Sequence, residues 1–353
     1  MISFNIVHYL SQLIRIQSFS KEEDLVAQYV QSILENDFFI PTKRYLNNVY
    51  AVNKHFTQGK FTILLNSHID TVKPNPAYTN NPFAPIQQDG KLFGLGSNDA
   101  GGALMGLMGA FIHFYNQEDL PFNLVFAASA EEEISGKNGM EALFPLLPKI
   151  DFAIVGEPTL GQIAVAERGL MVLDVVATGV AGHAARKEGV NAIYKALQDI
   201  QWFQTYQFPK VSDELSEVGM MVTQINAGSQ HNVVPAECSF VVDIRVNDCY
   251  SNTEVLDIVQ QNIQSTAVAR STRLNSSGVS AQHPIREVAK IMNLKTYGSP
   301  TLSDQALMPC ESVKIGPGDS ARSHTANEFI FLDELQNAVP HYIQILNELG
   351  KLL

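Results

Sequence analysis

The stretch Leu64-Leu65-Asn66-Ser67-His68-Ile69-Asp70-Thr71 is an apolar run that closes on a His-x-Asp pair. Side chains alternate along a β-strand, so residues two apart face the same way, and His68 and Asp70 leave the strand end on one face. This suits a metal-binding imidazole whose far N–H is held by a carboxylate, which sets the tautomer and raises the basicity of the nitrogen turned to the metal. A strand-end histidine bonded to a turn aspartate for structural reasons alone has the same signature. The rest of the chain has to decide between the two.

Working outward, more carboxylates arrive at the ends of apolar runs. Helices are expected over 6–14 and 26–34, and strands over 48–53 and 61–67, the second delivering His68. After a loop rich in Pro, Asn and Tyr over 73–85, Phe93-Gly94-Leu95-Gly96-Ser97-Asn98-Asp99 brings up Asp99. A small-residue helix is predicted over 103–115, in which Gly106 and Gly109 would allow close packing against a sheet. No Gly-Lys-Ser/Thr follows and the spacing of a dinucleotide fingerprint is absent. The glycines around Asp99 therefore read as room for the backbone to approach an ion. Residues 123–129 form a buried strand that delivers Glu131-Glu132-Glu133, and 150–155 another that ends in Gly156-Glu157. A Gly/Pro loop over 315–328 supplies a late imidazole, His324. Alternating helices and strands make an α/β layer fold, whose site lies at the carboxyl ends of the strands.

Between 170 and 280 the pattern changes. A strand at 170–178, a helix at 189–206, strands at 218–225 and 233–246, a helix at 254–266 and a strand at 267–274 give the β-α-β-β-α-β order of a ferredoxin-like unit. It is inserted into the larger domain, which comprises 1–169 and 281–353. At 353 residues the chain is long enough for roughly two domains. Its 45% hydrophobic and 17% charged residues are those of a globular protein. A net charge of −12 argues against a nucleic-acid or anionic-membrane surface. The N-terminus lacks a basic segment before a long apolar core, and no apolar run approaches the ~20 residues that span a bilayer, so a cytoplasmic protein is expected. Cys238, Cys249 and Cys310 are scattered, which excludes a disulfide framework and a cysteine-held zinc as expectations.

The set His68-x-Asp70, Gly94-x-Gly96-x-x-Asp99, Glu131-Glu132-Glu133, Gly156-Glu157-Pro158 and His324-x-x-Asn327-Glu328 resembles the M20 metallopeptidase family: acetylornithine deacetylase, succinyl-diaminopimelate desuccinylase, aminoacylase and the glutamate carboxypeptidases. The resemblance covers nearly the whole chain, with the motifs in the family's order. It implies a zinc-peptidase-like catalytic domain, a mixed sheet flanked by helices, carrying an inserted ferredoxin-like α+β lid and dimerisation domain. It also implies two zinc ions, for which cobalt or manganese could substitute, bridged by Asp99 and a water. One would be held by His68 and Glu157 and the other by Glu133 and His324, with Asp70 behind His68. Imidazoles and carboxylates without thiolates suit such metals. Two metals would acidify the bridging water and polarise the scissile carbonyl, while Glu132 takes the water's proton and passes it to the leaving nitrogen. Two departures stand out: Glu131 occupies a position where relatives usually have Asp, and Ala100-Gly101 stands where many have Met-Lys.

Within the inserted domain, Gly182-His183-Ala184-Ala185-Arg186 matches the family's lid histidine, which donates to the tetrahedral oxyanion, often across a dimer interface. Asn232 and Arg245 match positions that grip a substrate carboxylate, which an Arg fork can hold through two parallel bonds. Arg168 is a second candidate, and Thr301 with Ser303 resembles a loop closing the pocket from the catalytic domain. The motif wording looks most like the acetylornithine deacetylase branch. The expected activity is removal of an acetyl or succinyl group from an amino acid such as ornithine or citrulline, in arginine synthesis, by a homodimer. A dipeptidase or carboxypeptidase of the same family, and a non-catalytic protein that kept the fold, are the alternatives.

Overall fold

The computed structural model describes residues 4–353. Strand Thr62–His68 is buried at every position, as a continuous apolar run must be when both faces of a sheet are covered. It lies parallel to Asn123–Ser129 on one side and to Phe152–Val155 on the other. Phe152–Val155 in turn runs parallel to Glu311–Lys314, while Asn48–Val52 joins Asn123–Ser129 antiparallel. The sheet is therefore mixed. Because its four central strands are parallel, their carboxyl ends share one edge, and His68, the Glu131–133 turn, Glu157 and the loop after Lys314 all emerge there.

Helix Gly102–Phe114 is buried almost throughout. The expected role of its glycines needs correcting. A Cβ at Gly106 would lie 2.9 Å from Ala338 Cβ and from the Tyr342 ring, and one at Gly109 2.6 Å from Val339. Both glycines thus admit the terminal helix Leu332–Gly350 rather than the sheet. On the sheet side it is Gly156 that lets the layers meet, since a Cβ there would lie 2.7 Å from Leu107 and 3.1 Å from Ala103. Phe111, Phe114, Phe122, Phe126, Phe152 and Tyr342 fill this core.

The chain divides into two compact units: the N-terminal stretch through Val165 with Gly278–Tyr297 and Ser303–Leu353, and a second made of Ala166–Ser277 with Gly298–Leu302. The second holds a four-stranded sheet in the order Gly219–Ala227, Glu237–Val246, Gly169–Thr178, Thr266–Ala269, antiparallel throughout. With helices Ala192–Thr205 and Asn252–Asn262 the order is β-α-β-β-α-β. Met171, Leu173, Val175 and Ala177 alternate inward with Cys238, Phe240, Val242 and Ile244, as the two-residue period requires. Ser251 and Glu254 form a capping box at the second helix. The strand expected over 233–246 is broken. Val233–Val234 pairs with Gly182–His183 instead, because Pro235 brings no N–H to a continuous ladder. The closing strand is also shorter than expected, ending at Ala269. Gly298–Leu302 belongs to this unit through the Arg168 N–H, which donates to the Ser299 carbonyl at 3.1 Å. No helix among the described residues is long and apolar enough to cross a membrane.

Candidate metal centre

Asp99 stands between two imidazoles. Its Oδ1 is 3.2 Å from His68 Nε2 and its Oδ2 3.7 Å from His324 Nε2. Each histidine has a second carboxylate beside it: Glu157 Oε1 at 3.8 Å from His68 Nε2, and Glu133 Oε2 at 3.1 Å from His324 Nε2. Donor atoms of His68, Asp99 and Glu133 all lie within 4.8 Å of one another, and so do those of His68, Glu132 and Glu157. Among the described residues no cysteine joins these groups.

The electrostatics show what is missing from such a set. Burial, opposed by His68 but joined by the charges of Glu157, Asp304 and Glu133, holds the Glu132 carboxyl well above its ordinary range. Burial likewise pushes Glu157 up to about 8. For His68 burial disfavours the charged ring, yet hydrogen bonds to Asp70 and Asp99 hold its pKa well above the usual value. His324 is raised to about 9, first by its hydrogen bond to Glu133. Four partly buried carboxylates facing two imidazoles, one of which, His324, is 55% exposed, are short of positive charge. A divalent cation relieves this, and nitrogen and oxygen donors without sulfur fit zinc, cobalt or manganese.

The place of Asp70 differs from expectation. The His68 Nδ1–H has the Asp70 main-chain carbonyl as its near acceptor, at 2.9 Å, and the carboxylate lies at 3.5 Å. The carboxylate is occupied elsewhere: Oδ1 accepts the Glu132 N–H at 3.1 Å, and Oδ2 the Glu133 N–H at 3.2 Å and the Ser20 hydroxyl at 2.7 Å. Asp70 thus meets the ring with its backbone carbonyl and, farther off, its carboxylate, and the same carboxylate holds the Glu132-Glu133 turn. Fully buried Glu23 extends the same brace, accepting the Glu131 N–H at 3.2 Å and the Lys21 N–H at 2.6 Å. Neither Ser20 nor Glu23 is found by the sequence reading, and nothing local marks them.

His68, Asp70, Asp99, Glu132, Glu133, Glu157, Ser303 and His324 all lie in the first unit, and Arg168, His183, Asn232, Arg245 and Thr301 in the second. There, His183 and Asn232 are brought side by side, with the Ala184 N–H donating to the Asn232 carbonyl at 3.1 Å. His183 Nδ1 accepts the Ala185 N–H at 3.2 Å. The arginine expectations need amending. Arg245 sets its fork on Asp243, Nε at 2.8 Å and Nη2 at 3.2 Å, because residues two apart on a strand share a face. Arg168 donates to the Leu215 carbonyl. Ser303 is buried and caps the turn Asp304–Leu307 by accepting the Gln305 N–H, and Thr301 hydrogen-bonds Ser299 at 3.0 Å. The boundary between the two units falls between Thr301 and Ser303.

A family model described as peptidase family M20/M25/M40 matches residues 64–348. The succinyl-diaminopimelate desuccinylase of Rickettsia bellii (strain OSU 85-389) is 26% identical over 381 residues, covering 96% of this chain and 95% of the relative. Succinyl-diaminopimelate desuccinylase 2 of Ruegeria sp. (strain TM1040) is 27% identical, over 73% of this chain and 69% of its own length. Among solved structures, the aminopeptidase PepT of Bacillus cereus superposes with a TM-score of 0.77 at 18% identity, covering 99% of both chains. A dinuclear metal-binding peptidase of the M20 family from Bacillus subtilis gives 0.74 at 15%, covering 99% of this chain and 98% of that one.

Proposed function

This chain belongs to peptidase family M20/M25/M40, and from that premise we propose that it is a two-zinc deacylase releasing a short acyl group, foremost succinyl, from an amino nitrogen of a small amino acid. The observation that carries the reading is Asp99, whose two oxygens are directed at two different histidines, each with its own glutamate. His68, Glu157 and Asp99 would hold one ion, and His324, Glu133 and Asp99 the other. Such a pair supplies Lewis acidity that polarises an amide carbonyl and acidifies water.

The remaining work falls to the chain itself. Glu132, its carboxylate set beside His68 and Glu157, is suited to take a proton and give it up again to the leaving nitrogen. His183 accepts a backbone N–H at Nδ1, so its neutral ring carries the proton on Nε2. That leaves an N–H able to donate to a developing oxyanion, and we assign His183 this role, with Asn232 beside it. Arg245 would grip a substrate carboxylate by exchanging it for Asp243, and Arg168 is the alternative grip.

The acyl group is read from the relatives named for succinyl-diaminopimelate, one of which spans 95% of its length with this chain. Acetylornithine is supported by motif wording alone. The test is a panel assayed for amine release with zinc added: N-succinyl-LL-diaminopimelate, N-acetylornithine, N-acetylcitrulline and simple dipeptides. The expected order puts the succinyl substrate first by at least about tenfold in kcat/KM, on the order of one discriminating pocket contact. Preferred turnover of dipeptides would replace this reading with a peptidase, and no turnover by zinc-loaded protein would leave a binding protein.

A further inference from the structure

Glu328 is 2% exposed and lies four residues after His324, yet its carboxylate touches no imidazole. It faces backbone. Oε1 accepts the N–H groups of Asn98 at 2.8 Å and Asp99 at 2.9 Å, and Oε2 accepts that of Gly96 at 3.0 Å. The Glu328 carbonyl also accepts the Gly94 N–H at 3.0 Å. One residue thus receives four amides of the loop that presents Asp99.

The loop needs such an acceptor. Gly96 is left-handed at φ +73°, and Asp99 leaves the helical region at φ −121° and ψ 99° before helix Gly102–Phe114 begins. Three N–H groups are left converging on one buried spot, the concave arrangement that favours an anion. A hydroxyl or an amide has too few acceptor sites, whereas a carboxylate offers two oxygens and about four lone pairs. Leaving these donors unmet inside the protein would be costly.

We propose that Glu328 is a positioning residue for the metal centre: by capturing the amides of Gly96, Asn98 and Asp99 it holds the Asp99 carboxylate where both of its oxygens reach a metal. The inference rests on the reading of Asp99 as the shared ligand. It assigns Glu328 no contact with metal or substrate. The neighbouring Asn327 does a different job, since its Oδ1 accepts the N–H groups of Thr79 and Asn80 at 3.1 and 3.0 Å and so ties down a separate loop. That makes Asn327 an internal control.

The experiment uses full-length protein stripped of metal and titrated with zinc by calorimetry, with amide hydrogen exchange measured on the metal-free form. Glu328→Gln keeps the shape but replaces one acceptor oxygen with a donor. It should weaken zinc binding about 10- to 100-fold, the usual effect of removing an outer partner of a metal ligand, and speed exchange at Gly96, Asn98 and Asp99. Asn327→Ala should leave zinc affinity within about twofold of the unchanged chain, on the same expectation for a residue outside the ligand supports. Should Glu328→Gln fail to fold, Glu328→Asp serves, because it keeps the charge and withdraws both oxygens from the amides. Unaltered zinc affinity or unaltered exchange at these amides in the folded variant overturns the proposal. Because neither readout uses a substrate, a wrong choice of acyl amino acid would leave the result standing.

Discussion

At φ +55° Glu131 turns its carboxylate onto Asn138, whose backbone N–H and Nδ2 donate at 3.3 and 2.9 Å, whereas the Glu132 carboxylate lies within 4.8 Å of the donor atoms of His68 and Glu157. Two adjacent, identical side chains therefore have different tasks. Glu132→Gln is expected to bind two metals and lose about 10²- to 10⁴-fold in kcat, since an amide cannot accept a proton. Glu131→Gln should keep turnover and lose about 1 kcal/mol of stability through its weakened bonds to Asn138. The reverse pattern, read by metal analysis and kinetics, would move the base to Glu131. The histidines add a pH dependence. In metal-free protein His324 is raised to about 9 and Glu157 to about 8, both above their unfolded values. The folded state then binds the extra protons, so this stabilisation is complete below the unfolded values and is lost as pH rises through the folded ones. The melting temperature of metal-free protein should therefore fall from about pH 4.5, where Glu157 begins to count, to about pH 9, with His324 contributing above about 6.5. Zinc must displace the His324 proton, so its apparent affinity should rise over the same interval.

Elements meet here by close backbone approach. The helix Gly102–Phe114 has glycines where Leu332–Gly350 crosses it, and Tyr342 on the latter donates its hydroxyl to the Ile315 carbonyl at 2.5 Å. Ile315 begins the loop that runs on to His324, so this crossing supports one histidine while Gly102–Phe114 follows directly on Asp99. A leucine at position 106 has no room beside Ala338 and Tyr342. Gly106→Leu should destabilise by about 1–3 kcal/mol in urea unfolding, overpacking outweighing the roughly 1 kcal/mol that leaving glycine behind returns in helix propensity. A variant as stable as the unchanged chain would mean that the crossing relaxes easily.

At the scale of the whole molecule, the second unit leaves apolar side chains exposed. In the second unit, Tyr194 and Leu197 on the helix Ala192–Thr205 are 67% and 51% exposed, and Met221 and Ile225 on the edge strand Gly219–Ala227 are 66% and 55% exposed. Tyr194 and Leu197 are three apart and share a helix face. An unpaired edge strand with such apolar residues invites a partner strand, and a second copy of this chain is the partner we propose for it. Sedimentation of the unchanged chain should then give twice the chain mass, and Met221→Asp with Ile225→Lys should halve it; a monomeric unchanged chain would overturn the proposal. Mixing inactive His183→Ala with inactive Glu132→Gln under subunit exchange should restore some activity if His183 serves its partner's site. No recovery despite proven exchange would place it in its own chain's reaction.

The order and kinds of the metal-site residues are legible in the sequence, because each follows an apolar run long enough to be a buried strand or lies in a polar Gly/Pro loop. His68, Asp99, Glu132, Glu133, Glu157 and His324 could be named from that pattern, as could the β-α-β-β-α-β unit from its periodicity. Tertiary structure alone decided which way the carboxylates face. Glu131 and Glu132 differ by a backbone rotation that composition does not encode, and although Asp243 and Arg245 share a strand face legible from sequence, only the side-chain geometry shows the fork closed on that carboxylate. Glu23 and Glu328 act on backbone amides up to 232 residues away. Every residue except proline carries such an amide, so a side chain that binds one leaves no trace in the identity of its partner, and only the fold reveals it.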